Sequence, residues 1–143
     1  MLEIKFKKLN DEAELPKYAN SGDAGLDLKA TSVEWSDDFN CYVYGTGLAV
    51  EIPEGYVGLL FPRSSIRKYN LALTNCVGVV DSGYRGEIML TFRNQFEGTG
   101  KVYNIGDKIC QLIIMPYPII EPVEVTELSK TERGENGHGS SGN

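Results

Sequence analysis

Apolar and polar positions alternate with a period of two along most of the chain. In EIKFKKL (3–9) lysines separate Ile4, Phe6 and Leu9, and in EIMLTFR (87–93) Ile88, Leu90 and Phe92 alternate with Met89, Thr91 and Arg93. That period puts successive side chains on opposite faces of an extended backbone, so both stretches predict half-buried strands. FNCYVYGTGLAVEI (39–52), GYVGLLF (55–61), LALTNCVGVV (71–80) and KICQLIIMPYPII (108–120) are further short runs rich in Val, Ile and aromatic residues. Turn-forming residues punctuate them: Pro53-Glu54-Gly55, Ser82-Gly83, Glu97-Gly98-Thr99-Gly100 and Ile105-Gly106-Asp107. An apolar pattern with a helical period never runs beyond about two turns. Many short strands at this spacing predict an all-β sandwich, jelly roll or barrel.

One brief helix is predicted in PRSSIRKYN (62–70), where two serines suited to N-capping precede a turn and a half of helix formers. So short a helix is marginal alone and makes more sense as a device that aims amide N–H groups at an anion. After Leu128 the apolar pattern stops. We place a boundary there, with a β domain over 1–130 and a glycine-rich arm over 131–143.

Composition narrows the chemistry. The 143 residues carry 14 Lys+Arg against 20 Asp+Glu, a formal net charge of -6. That balance argues against binding a nucleic-acid polymer, yet a few placed cations and amides suffice for a single nucleotide. Cys41, Cys76 and Cys110 are odd in number and form no CxxC pair, and the chain has 1 histidine, so neither a disulfide framework nor the usual zinc site is predicted. Reduced thiols in a cytoplasmic protein are expected. The start, MLEIKFKKLN, has no apolar h-region, and no run reaches the roughly 20 apolar residues that span a bilayer, so no membrane partner is expected.

Four stretches concentrate polar residues that a plain sandwich does not need. In SGDAGLDLKA (21–30), Asp27 sits between Leu26 and Leu28 and faces away from them. In PRSS (62–65), Arg63 offers a planar fork of donors, and Ser64 and Ser65 offer hydroxyls and amides; the group reads equally as a phosphate cradle or a capped turn. In NCVGVVDSGYRGEI (75–88), Val79 and Val80 lead into Asp81 at the lip of a turn, Gly78 permits close approach to the backbone, and Tyr84 returns a ring suited to packing on a sugar. In GDKICQLIIMP (106–116), Gln111 interrupts an apolar strand and needs partners from a neighbouring strand or a ligand.

Taken in order, AGLDLKA, PRSS, NCVGVVDSGYRGE, GDKICQL and RGENGHGSSG resemble the five motifs of the trimeric dUTPases, and the resemblance spans essentially the whole chain. It implies an all-β jelly roll (β-clip) that forms a homotrimer, with active sites at subunit interfaces and a flexible C-terminal arm. It implies hydrolysis of dUTP to dUMP and pyrophosphate with Mg²⁺, a reaction that limits uracil in DNA and supplies dUMP. By the same resemblance Asp81 is the base that deprotonates the attacking water. Asn75, Gly78, Val79 and Val80 read uracil, Tyr84 packs under deoxyribose, and Met89 borders the nucleoside. Arg63, Ser64, Ser65 and Gln111 hold the phosphates, and Asp27 holds the metal through water.

The arm would bring Arg133 to the γ-phosphate and Gly139, Ser140 and Ser141 to the other phosphates. His138 stands where the family carries a phenylalanine that stacks on uracil, and Glu135-Asn136 replaces a less charged stretch. A bacterial cytoplasm, or an infected host cell if the gene is a phage's, is the expected setting. Two rivals are weighed beside this reading. A dCTP deaminase of similar fold would carry a glutamate where this chain has Thr91, and a nucleotide-gated regulatory protein would keep the same motifs.

Overall fold

The computed structural model describes residues 1–137. Its strands are β1 (Lys5–Lys8), β2 (Leu26–Lys29), β3 (Ser32–Ser36), β4 (Cys41–Glu51), β5 (Tyr56–Phe61), β6 (Ala72–Leu73), β7 (Gly78–Val80), β8 (Glu87–Arg93) and β9 (Lys108–Pro116), with a 3-10 helix at Ser64–Lys68. The long run through β4 becomes the spine of one sheet. β1 and β3 share one of its edges at different ends and β8 takes the other, with β6 beyond β8. The second sheet has the order β2-β9-β5-β7, and every pairing in both sheets is antiparallel. Leu28, Leu60, Val80, Ile109 and Leu112 of the second sheet and Tyr44, Leu48, Val50, Ile88, Leu90 and Phe92 of the first belong to one core. The all-β expectation therefore holds, as two open sheets packed over a shared interior. Among the described residues no helix is long and apolar enough to cross a membrane.

Alternation predicts β8 well: Ile88, Leu90 and Phe92 are buried while Met89 and Arg93 are exposed. It misplaces Leu9, which is exposed. Leu9 is an odd number of residues from Phe6, so it falls out of phase, and its N–H turns to the Gly47 carbonyl at 2.8 Å after β1 has ended. The run 71–80 is not one strand. It breaks into β6 and β7 at a turn where Cys76 takes φ +62°, a conformation that non-glycine residues rarely adopt. β9 stops at Pro116, where proline can no longer donate to a ladder. No strand follows among the described residues, and Ile119, Ile120, Val123, Val125 and Leu128 lie exposed. The expected domain boundary at 130/131 falls inside that segment.

An aromatic cluster ties the first sheet to the loop before β9. Tyr103 packs edge-on to Tyr44 and Phe92, with ring centroids 6.1 and 5.5 Å away, and its carbonyl accepts the Tyr44 hydroxyl at 2.9 Å. Burial pushes both phenols up to about 12. The thiols Cys41, Cys76 and Cys110 are all free, the first and last buried and Cys76 exposed.

Candidate functional site

The expected residues of the 75–89 stretch come together in one cleft. β7 is the edge strand of its sheet, so backbone groups on its far side are left free to pair with a flat polar ligand. Alternation sends Val80 into the core at 5% exposure and Val79 outward at 63%. The chain then turns, the Tyr84 amide donating to the Asp81 carbonyl at 3.1 Å. Arg85 fastens the turn from inside, with Nη1 donating to the carbonyls of Ser82 at 2.6 Å and Tyr84 at 2.9 Å. The Tyr84 hydroxyl donates to the Glu87 carbonyl at 2.9 Å, which lays its ring across Gly86; a Cβ there would stand 2.4 Å from the hydroxyl. The cleft measures about 220 Å³, and Asn75, Gly78, Val79, Val80, Asp81, Tyr84 and Met89 all line it. Gly78 has a second reason to lack a side chain: a Cβ would press on Leu60 at 3.1 Å.

Asp27, Arg63 and Gln111 form a second group. Register sets Asp27 opposite Gln111, and Gln111 opposite Phe61, the residue that leads into Pro62 and Arg63. Gln111 Nε2 donates to the Pro62 carbonyl at 3.2 Å and its amide lies over Gly25, where a Cβ would meet Oε1 at 2.6 Å. The question of what satisfies Gln111 is answered by the neighbouring loop. Arg63 Nε donates to Asp27 Oδ1 at 2.9 Å, while Nη1 reaches the Ser65 hydroxyl at 3.5 Å. Asp27 Oδ2 accepts from Lys108 Nζ at 2.7 Å. Sequence reasoning missed Lys108, because only strand register reveals that the lysine of GDK comes back to the Asp27 carboxylate. Behind the cluster burial drives the Cys110 thiol well above its usual range; Asp27 adds to the rise and Arg63 offsets part of it.

The helix start differs from the expected one. Arg63, not a serine, is the N-cap residue and makes no side-chain cap bond, so Ser64 and Ser65 are the first two helical residues. Their amides precede the first bonded one, Ile66, and are the orphan donors of a helix N-terminus.

Gly25→Ala tests how tightly this group is set. The methyl must displace Gln111, and on the order of a tenfold or greater loss of kcat is expected with the folded β content unchanged by circular dichroism. Unchanged kcat would show that Gln111 has no role in the chemistry.

One chain does not bring the two groups together. Asp81 follows Val80, whose partner is Gly58, so it lies at the level of Val57; Asp27 lies at the level of Phe61. Those levels are about four residues apart along β5, and β2 and β7 are three strand spacings apart, which puts the two aspartates roughly 20 Å from each other. The two carboxylates also differ in state. Asp27 is held by two cations and its side chain is 12% exposed, whereas Asp81 is exposed and, among the described residues, its carboxylate has no hydrogen-bond partner.

Among the described residues no cluster of three or more His, Cys, Asp or Glu could cage a metal ion. Asp27, beside Arg63, Ser64 and Ser65, suits a different arrangement, in which anionic oxygens and water surround a hard cation and the carboxylate accepts from that water. The residues present fit magnesium in that sense. Arg133 lies on the exposed segment after β9, its Nε donating to the Asn136 carbonyl at 2.8 Å. His138, Gly139, Ser140 and Ser141 lie outside the described residues. A larger hollow of about 640 Å³ lies elsewhere, between Trp35, Phe39, Val43, Thr91 and Arg93. Its lining has no carboxylate, and Thr91 there is hydrogen-bonded to the Thr74 hydroxyl, so size alone does not make it a site.

A family model described as dUTPase matches residues 11–142. A deoxyuridine 5'-triphosphate nucleotidohydrolase of Corynebacterium glutamicum is 39% identical over 140 residues, covering 97% of this chain and 94% of the relative. One of Alkaliphilus metalliredigens is 38% identical over 143 residues, covering 99% of each. Among solved structures, the dUTPase of Staphylococcus bacteriophage 80alpha with dUpNHpp superposes with a TM-score of 0.81 at 31% identity, covering 99% of both chains. A dUTPase mutant from phage phi11 of S. aureus, whose structure describes the coordination of a structural Mg(II) ion, gives a TM-score of 0.75 at 27% identity, covering 90% of this chain and 100% of that one.

Proposed function

The chain belongs to the dUTPase family and is a dUTP diphosphatase, and from that premise we propose how its residues hydrolyse dUTP to dUMP. Asp81 accepts a proton from water as the water oxygen bonds to the α-phosphorus. The bond from that phosphorus to the oxygen bridging the β-phosphate breaks, and pyrophosphate leaves. The contrast between the two aspartates carries the assignment. A base needs an oxygen free to take a proton, which Asp81 has, while both oxygens of Asp27 are already engaged by cations.

Uracil enters along the free edge of β7 beside Asn75, where Gly78, Val79 and Val80 present backbone donors and acceptors. Tyr84 lies under deoxyribose and excludes a 2′-hydroxyl, and Met89 borders the nucleoside. Arg63, Ser64, Ser65 and Gln111 bind the phosphates. Magnesium, held by substrate oxygens and through water by Asp27, would supply charge neutralisation across the triphosphate. The remaining donors come from the arm, with Arg133, Gly139, Ser140 and Ser141 on the phosphates and His138 over the base.

The protein works as a homotrimer. The roughly 20 Å between Asp81 and Asp27 within one chain supports a site that joins the cleft of one subunit to the cradle of another. The apolar side chains from Ile119 to Leu128, exposed among the described residues, support the same assembly.

Pyrophosphate release with Mg²⁺ from dUTP, dCTP, dTTP and UTP tests this reading. Turnover of dUTP alone is expected. Ammonia release from dCTP, or hydrolysis of UTP at a comparable rate, would contradict it.

A further inference from the structure

We propose that Lys108 is the permanent counter-ion of Asp27, and that its presence lets Arg63 exchange from Asp27 onto the triphosphate. The inference rests on the function proposed above. The two cations take different oxygens of one carboxylate, Arg63 Nε on Oδ1 and Lys108 Nζ on Oδ2. Their supports also differ. Arg63 stands in the loop ahead of the 3-10 helix and uses Nε on Asp27, with only a long 3.5 Å contact from Nη1 to Ser65. Most of its planar fork is therefore available to phosphate oxygens.

Lys108 is built into the sheet. β2 and β9 pair Leu28 with Cys110 and then Lys29 with Lys108, so Ile109 is an extra residue on β9. That bulge explains why Ile109 and Cys110 are both buried in succession, and it re-aims Lys108 toward the Asp27 carboxylate. Among the described residues Arg63 and Lys108 are the cations bonded to this carboxylate: Lys29 is engaged by both oxygens of Glu14 at 2.8 Å, and Lys17, whose carbonyl accepts the Asp27 amide at 3.2 Å, makes no side-chain bond to it.

Charge then fixes the order of events. If Arg63 left a carboxylate that is 12% exposed with no second cation present, a bare negative charge would remain beside an incoming triphosphate. With Lys108 in place the carboxylate stays neutralised, and Oδ1 becomes free to accept from water on the magnesium ion. Without Lys108, that role would fall to the metal. Lys108 is thus a positioning residue whose loss makes nucleotide binding lean on Mg²⁺.

The test is calorimetric binding of the non-hydrolysable analogue dUpNHpp to the full chain, in EDTA and in saturating Mg²⁺, for wild type, Lys108→Met, Lys108→Gln and Lys108→Arg. For Lys108→Met, affinity in EDTA is expected to fall on the order of a hundredfold and affinity in Mg²⁺ by less than about tenfold, so that the enhancement by Mg²⁺ rises at least about tenfold. Lys108→Arg keeps the wild-type enhancement. Equal losses with and without Mg²⁺, as a merely structural lysine would give, overturn the proposal, and so does no loss in either. If Lys108→Met does not fold, Lys108→Gln against Lys108→Arg makes the same comparison with the same outcomes. Failure of the wild type to bind dUpNHpp at all would instead overturn the functional reading, and the inference with it.

Discussion

Asp81→Asn is expected to lower kcat for dUTP by on the order of a thousandfold or more while leaving nucleotide affinity intact or slightly improved. The substitution keeps the shape of the side chain and removes the oxygen that takes the proton, which is the contribution a general base makes. Binding of dUpNHpp should not suffer, because a negative charge beside the triphosphate is lost with the carboxylate. Stability should not suffer either: Asp81 is exposed at a strand end, and among the described residues its side chain bonds to nothing. Thermal unfolding and dUpNHpp binding, measured beside kcat, separate this outcome from a general loss of structure. The matching change Asp27→Asn is the contrast. It removes the charge that pairs with Arg63 and Lys108, so it disturbs two cations and is expected to weaken binding as well as turnover.

A chain ending at Thr131 is expected to keep its fold and lose on the order of a hundredfold or more in kcat/KM. Among the described residues no strand lies beyond Pro116 and Glu132 to Asn136 are exposed, so none of the described core is removed. What is removed is a set of donors: the Arg133 guanidinium, the hydroxyls of Ser140 and Ser141, and the amides of a glycine-rich backbone able to come close to charge. On the proposed function these donors serve the triphosphate, so the loss should be large for dUTP and smaller for binding of dUMP. A truncated enzyme with wild-type kcat/KM would show that the terminal segment has no part in the reaction.

Much of this was legible in the sequence because short-range rules carried it. The alternation of Ile88, Leu90 and Phe92 places three core side chains, and Asp81 at the end of Val79-Val80 is a strand-end carboxylate on any register. Motif order gathered Asn75, Gly78, Val79, Val80, Tyr84 and Met89 into one stretch, and the chain does fold them around one cleft. The turn at Cys76 was not legible, since Thr74 and Asn75 are a weak break in LALTNCVGVV and a cysteine rarely takes the left-handed φ found there. Leu9 was legible and misread: it stands three residues from Phe6, so a strict period of two puts it on the other face. Lys108 was hidden for a deeper reason. It lies 81 residues from Asp27, and only the β2–β9 register with its bulge joins them. The serines of PRSS were placed one position off because the backbone turns into the helix at Arg63, which caps it without a side-chain bond.

The composite site is tested most directly by mixing two inactive enzymes. Asp81→Asn keeps an intact phosphate cradle, and Arg63→Ala keeps an intact cleft and base. If each site joins the cleft of one subunit to the cradle of another, unfolding the two variants together in equal amounts and refolding them gives a functional pairing with chance one half for each part. About a quarter of wild-type dUTP turnover should then return from two parents that each have almost none. A mixture no more active than its parents, with mixed trimers verified by mass, would mean that one chain builds the whole site and would contradict the roughly 20 Å separation on which the composite site rests.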